Sequence, residues 1–357
     1  MPIKIGDKTY KPHQISKICV GSDLYYQSTL PKREISYYGT AANITSPAKF
    51  NMGISFKNFA LFGGGCGSSW SATKNTVDAY DDTLTKTQLA NLITARRSHG
   101  GEATKDYAIF MGGNAGSGKT TAVDAYDSTL TKVSNVTQLS YGRFDGASVR
   151  IKDEYVLFVG GDGGNKKVEC YDNNLTKTGL TDLPQNTWQF GDIGTNIGNY
   201  GIVCGGITSA KTAKGYTWDA NLTRTDYNNF LTQAKAAFMS ASTDTYALFG
   251  GGVPASGNSN SVDAYDSNLT KTVCTTLSSA RAYGTAAGLR DFVLFAGGNN
   301  SSSKVVDIYD NDLVRTTGTQ LTYGREVPSS AVAGNYLLFA GGEGSGYPAA
   351  VEVYEAS

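Results

Sequence analysis

The chain carries two histidines in 357 residues, His13 and His99. Catalysis by a Ser/His/Asp set would rest on His99 alone, and no nucleophile motif accompanies it. The five cysteines, Cys19, Cys66, Cys170, Cys204 and Cys274, are scattered and include no Cys-x-x-Cys pair. That argues against a zinc site or disulfide framework and fits synthesis in a reducing cytosol. Neither sign of charge is in excess: 31 basic and 31 acidic residues cancel. The long-range positive field of a nucleic-acid binder is therefore missing. No apolar run approaches a membrane span, and Met1–Lys8 lacks the apolar core of a signal peptide. The expectation is a chain made in the cytoplasm, without membrane insertion. Helical periodicity is absent almost everywhere.

Glycine (43) and tyrosine (22) are abundant, as suits short strands joined by tight turns. A four-residue apolar run before Gly-Gly occurs seven times, from Phe59-Ala60-Leu61-Phe62 before Gly64-Gly65 to Tyr336-Leu337-Leu338-Phe339 before Gly341-Gly342. The first glycines stand at 64, 112, 160, 205, 251, 297 and 341, steps of 44 to 48 residues. That period fits a four-stranded propeller blade and is too long for a leucine-rich or ankyrin unit. After each Gly-Gly comes a second signature, Val77-Asp78-Ala79-Tyr80-Asp81 and its relatives, degenerate in the fourth copy around Tyr216. An Asp-led turn and a Thr-rich strand follow it. Asn-Leu-Thr at 174, 221 and 268 falls in that turn, so turn chemistry accounts for it better than glycosylation does. Each copy reads as four antiparallel strands a, b, c and d, with the unbroken apolar strand b covered on both faces.

The apolar run, Gly-Gly and Tyr-Asp strand resemble the kelch repeat and the galactose-oxidase-like central domain over residues 31–357. The resemblance implies an all-β, seven-bladed β-propeller. The usual Trp of kelch strand d is replaced here by Thr, Val or Leu. The chain ends just after the seventh strand c, leaving that blade without a strand d, and Glu34–Thr40 is the surplus segment that can supply it. Closure by an N-terminal strand is expected, because an open ring exposes its edges. Copper chemistry of the galactose-oxidase kind needs two histidines and a Tyr–Cys cross-link, for which the residues are wanting, so neither cofactor nor metal is expected. Residues 1–30 form a leader whose Ile15–Tyr26 reads as two short strands around Gly21-Ser22. It resembles short segments of phage and prophage structural proteins.

Gly113-Asn114-Ala115-Gly116-Ser117-Gly118-Lys119-Thr120 matches a phosphate-loop pattern, but a strand rather than a helix should follow it, so nucleotide binding is rejected. At the start of strand a, Lys49, Arg96, Arg143, Lys235, Arg281 and Arg325 place a cation in six blades, with Thr187 in the fourth. Two residues before the strand-c tyrosine stand Asp78, Asp124, Glu169, Lys214, Asp263, Asp307 and Glu352. The blade without the acid is also the blade without the cation, so the first reading is that the cations pair inside the ring; a free basic ring at one channel mouth is the alternative. The b–c loops at that mouth vary in length. The candidate ligand-binding set is Lys49, Trp70, Arg96, His99, Lys119, Arg143, Lys235, Arg281, Arg325 and Tyr347.

The leading expectation is a non-enzymatic recognition or scaffold module that binds a protein or surface glycan, associated with a phage or prophage particle as the leader's resemblance implies. A bacterial cell-surface or intracellular interaction protein is the second reading. An enzyme acting on an acidic sugar through Arg96, Arg143, His99 and a mouth tyrosine is the third.

Overall fold

The computed structural model describes the backbone of residues 3–5, 8–10, 17–20 and 23–27. With side chains it describes residues 33–162, 165–189, 194–299, 303–344 and 348–357. Two compact units result, residues 1–34 with Ser357, and Ile35–Ala356. In the first, Ile3–Ile5 pairs antiparallel with Lys8–Tyr10, and Lys17–Val20 with Asp23–Gln27.

The second unit is all-β, seven antiparallel blades in a ring. Blade 1 is Met52–Phe56, Phe59–Gly63, Val77–Tyr80 and Lys86–Gln88, as strands a to d. Strands a of blades 2 to 7 begin at Gly100, Ala147, Thr195, Met239, Thr285 and Ser329. Strand b is buried almost throughout, Leu61, Ile109, Leu157, Ile202, Leu294 and Leu338 having no exposed surface. In blade 2 the outer strand shrinks to one bridge, Tyr126 to Lys132. Asn135 there adopts φ 59°, which ends the extended run early.

Ring closure follows the strand count. Ile35–Ala41 pairs antiparallel with Val351–Ala356 as strand d of blade 7. A bulge at Tyr38 and Gly39 (φ 133°) accommodates the twist of this joint.

The fourth blade corrects the sequence alignment. Strand b residue Val203 faces Tyr216, and Gly201 faces Trp218; in blade 1 the equivalent pairs are Phe62 with Asp78 and Ala60 with Tyr80. Trp218 therefore takes the tyrosine position and Tyr216 the acid position. Asp219 confirms the register, its Oδ1 accepting the Asn221 and Thr223 N–H groups as Asp81 accepts those of Thr83 and Thr85. Leu222 sits at φ 61°, matching Leu84 at 62°. The Asp-x-Asn-Leu-Thr turn was the better marker.

Candidate functional site

The charged residues of the repeat build the blades. Arg96 Nη1 lies 2.7 Å from Asp124, Arg143 Nη2 3.0 Å from Glu169, Arg281 Nη1 2.7 Å from Asp307 and Arg325 Nη2 2.8 Å from Glu352. All eight side chains are buried. Each arginine also donates to the strand-b carbonyl at Phe110, Phe158, Phe295 or Phe339. The carboxylates accept a backbone N–H from the incoming crossover, as Ile93 gives to Asp124 and Ser140 to Glu169. A strand-d cation completes several of these sites, Lys132 on Asp124, Lys177 on Glu169 and Arg315 on Asp307. Burial lowers the Arg143 pKa to about 10 against the opposing pull of Glu169. These ions are compensated in place.

The basic ring has five members instead of six, and four of them, Arg96, Arg143, Arg281 and Arg325, are paired with carboxylates. The second glycine of each Gly-Gly donates to the carbonyl of the ring position in the next blade, from Gly65 to Arg96 around to Gly342 to Ala48. Ala48, not Lys49, holds that position in blade 1. In blade 4 Thr187 and Tyr216 hold the two positions, neutral residues in place of an ion pair. Lys235 in blade 5 reaches Ser261 Oγ and the carbonyls of Phe249 and Ser261. Burial lowers its pKa to about 8, partly offset by Asp263.

The mouth itself is built two residues beyond the ring position. Phe50, Ser98, Asp145, Gln189, Ala237, Tyr283 and Val327 all lie at φ 48–56°. Each donates its N–H to the carbonyl of its counterpart in the preceding blade, at 2.7–3.3 Å, and Phe50 completes the circle by donating to Val327. The result is a closed main-chain belt of seven hydrogen bonds. Left-handed φ is unfavourable for residues such as Val327, and the belt compensates that strain.

Inside the belt is a cavity of about 390 Å³, lined by Trp70, Arg97, Asp145, Gln189, Tyr283 and Glu326 among others. A second cavity, about 550 Å³, occupies the other end of the channel along strands a, where Ser55, Glu102, Asn196 and Ser242 line it. Trp70, on the blade 1 b–c loop, is 54% exposed yet held on several sides. Phe50 packs with ring centroids 5.0 Å apart, the Arg97 guanidinium lies 4.3 Å from the indole centroid, and Lys49 Nζ lies 5.0 Å from it. Arg97 Nε also donates to the Trp70 carbonyl. Lys49 is buried behind the indole and pairs with Glu343 at 2.6 Å. Asp145 has its pKa raised to about 6 because burial outweighs the help of Ser98 and Arg97, with Asp162 adding repulsion.

Of the ten sequence candidates, Trp70 and His99 line the cavity and Lys49 backs it. His99 is buried, its imidazole near Phe110 and its pKa pushed well down by burial and by Arg96, so it stays neutral. Arg96, Arg143, Lys235, Arg281 and Arg325 lie inside the blades, because their carboxylate or carbonyl partners are there. Lys119 is exposed on the blade 2 loop, away from the cavity, and strand Val123–Asp127 follows it, as the rejection of nucleotide binding required. Tyr347 lies outside the described residues. The sequence reading missed Arg97, Asp145, Gln189, Tyr283, Glu326 and Glu343; the signal available was the two positions beyond each ring residue and the one after each Gly-Gly, where side chains differ from blade to blade.

Fold and mouth together define a seven-bladed β-propeller with a ligand-sized cavity on its axis. No family model matches the chain, and no curated protein does. Among solved structures it is similar to YjhT, with a TM-score of 0.56 at 14% identity, over 88% of this chain and 95% of that one. This likeness bears on the fold alone.

Proposed function

We propose that this propeller is a non-enzymatic recognition module that holds a carbohydrate at the belt end of its channel. The observation that carries the reading is Trp70, a half-exposed indole braced by Phe50, Arg97 and Lys49 beside a polar cavity. A rigid aromatic face offers stacking area to a sugar ring, while Gln189, Asn51 and the carboxylates offer hydrogen bonds to hydroxyls. Arg96 and Arg143, two of the groups an acidic-sugar enzyme would use, are held in buried ion pairs, and burial against Phe110 keeps His99 neutral, which favours binding over turnover. Attachment to a phage or prophage particle is part of the same proposal and rests on the leader's resemblance. The test is a glycan-array screen with product analysis, comparing wild type with Trp70→Ala. Saturable binding without turnover, lost in the variant, is the expected result. Binding that persists in Trp70→Ala would remove the site, and turnover would replace the reading with an enzyme.

A further inference from the structure

The mouth contains one cross-strand pair that breaks the pattern of the other blades. Glu326 and Glu343 face each other across a two-way backbone bridge, Glu326 N–H to Glu343 O at 2.7 Å and the reverse at 2.8 Å. The equivalent bridges elsewhere hold Lys49 with Cys66, Arg97 with Asn114, Trp188 with Ile207 and Ala236 with Val253. None of those sets like charges opposite one another, an arrangement that destabilises a strand pair. Lys49 bonds Glu343. Among the described residues no side chain bonds the Glu326 carboxylate. Its pKa is raised, by burial first and then by Glu343, with Lys49 opposing. Both acids line the cavity, and so does Asn51, nine-tenths buried with its side-chain oxygen unpartnered. A broken local rule that leaves one of the two acids without a side-chain partner marks a position kept for a ligand.

Charge decides which ligand. Among the described residues the charged groups at the cavity are Arg97, Asp145, Glu326 and Glu343, with Lys49 behind them, leaving one negative charge over. Trp70, Lys49 and Glu343 are contiguous, and Glu326 adjoins Glu343. Building on the carbohydrate reading, we infer that the mouth selects a sugar bearing a free ammonium group, with the Glu326 carboxylate receiving the ammonium and Trp70 the ring face. An acidic sugar meets repulsion at the same place.

Calorimetric titration with three probes tests this: a fully deacetylated chitotrisaccharide, its N-acetylated counterpart and a trimeric uronate. A charge-assisted hydrogen bond predicts about tenfold or greater preference for the deacetylated sugar over the acetylated one, and weakest binding of the uronate. Glu326→Gln should bring that preference to about onefold while leaving the acetylated sugar bound, and circular dichroism checks that the variant is folded. Because Glu326 must be ionised, binding of the deacetylated sugar should strengthen as pH rises through the carboxylate's titration. Asp145 and Glu343 also face the cavity, so the same titration on Glu326→Gln isolates the Glu326 contribution. Equal binding of both chitotrisaccharides, tighter uronate binding, or a trilysine peptide outcompeting the deacetylated sugar would each overturn the inference. If no sugar of any charge binds, the carbohydrate reading itself fails.

Discussion

Replacing Arg325 with Met tests whether the buried cations are there for the fold. Arg325 Nη2 bonds Glu352 at 2.8 Å, while Nη1 reaches the carbonyls of Gly341 at 2.9 Å and Ala350 at 3.1 Å. Glu352 in turn accepts the N–H of Thr322 at 2.5 Å and the hydroxyl of Tyr37 at 3.4 Å, tying the closing strand to the blade. Methionine fills most of the volume but leaves Glu352 charged and buried without its cation. The expected loss is about 3–5 kcal/mol at pH 7, measured by denaturant unfolding. The loss has a pH signature. An unpaired buried carboxylate holds its proton to higher pH in the native state than in the unfolded one, so the native state binds more protons between the two pKa values. The variant's deficit should therefore shrink as pH falls towards about 4 and be complete above the raised native pKa. Adding Glu352→Gln should recover most of the deficit, giving a large coupling in the double-mutant cycle. A loss under about 1 kcal/mol, or one independent of pH, would refute the reasoning.

Further expectations follow from the backbone and from the mouth. Gly341→Ala places a Cβ 2.3 Å from the Ala48 carbonyl at φ +70°, so it should destabilise by about 2 kcal/mol or more in denaturant titrations, and neutrality would contradict the packing. Asp145→Asn should raise stability at pH 7 by about 1 kcal/mol. The folded carboxyl's pKa of about 6 exceeds its unfolded value, so wild type loses stability as pH rises from about 4 to 6, and this variant should show a flatter profile. Lys235→Arg supplies the guanidinium that other blades use to reach the strand-c carboxylate, and a gain of about 1 kcal/mol in thermal unfolding is expected.

The sevenfold rhythm was legible because the Gly-Gly pairs answer a main-chain requirement. A Cβ at Gly64, Gly205 or Gly251 would come within 2.4–2.7 Å of the next blade's carbonyl, so no other residue fits. Closure was legible by counting strands. The fourth blade was misaligned because Tyr216 mimicked the tyrosine signature while Trp218 held its place. Lys49 was misplaced for a related reason: one residue of offset separates a side chain inside a blade from one facing the mouth, and main-chain bonds such as Gly342 to Ala48 fix which it is. The mouth was least legible. Glu326, Glu343 and Arg97 share no residue type with their equivalents in other blades, and a repeat search discards such positions.

That division has a physical cause. The ring is held by main-chain groups, seven glycine-to-carbonyl bonds and seven bonds of the belt, and by ion pairs enclosed within single blades. Neither device depends on the side chains of the belt residues, which range from Ala237 to Tyr283 and Asp145. Substitution there changes the lining of the cavity without disturbing the blades, so chemistry can be written one blade at a time. Blades 1, 2 and 7 carry the indole, the stacked guanidinium and the facing glutamates, while blade 5 contributes Ala237. The lopsided mouth on a nearly regular ring is what a recognition site on this scaffold should look like, because an asymmetric ligand can be gripped only where the sevenfold symmetry is broken.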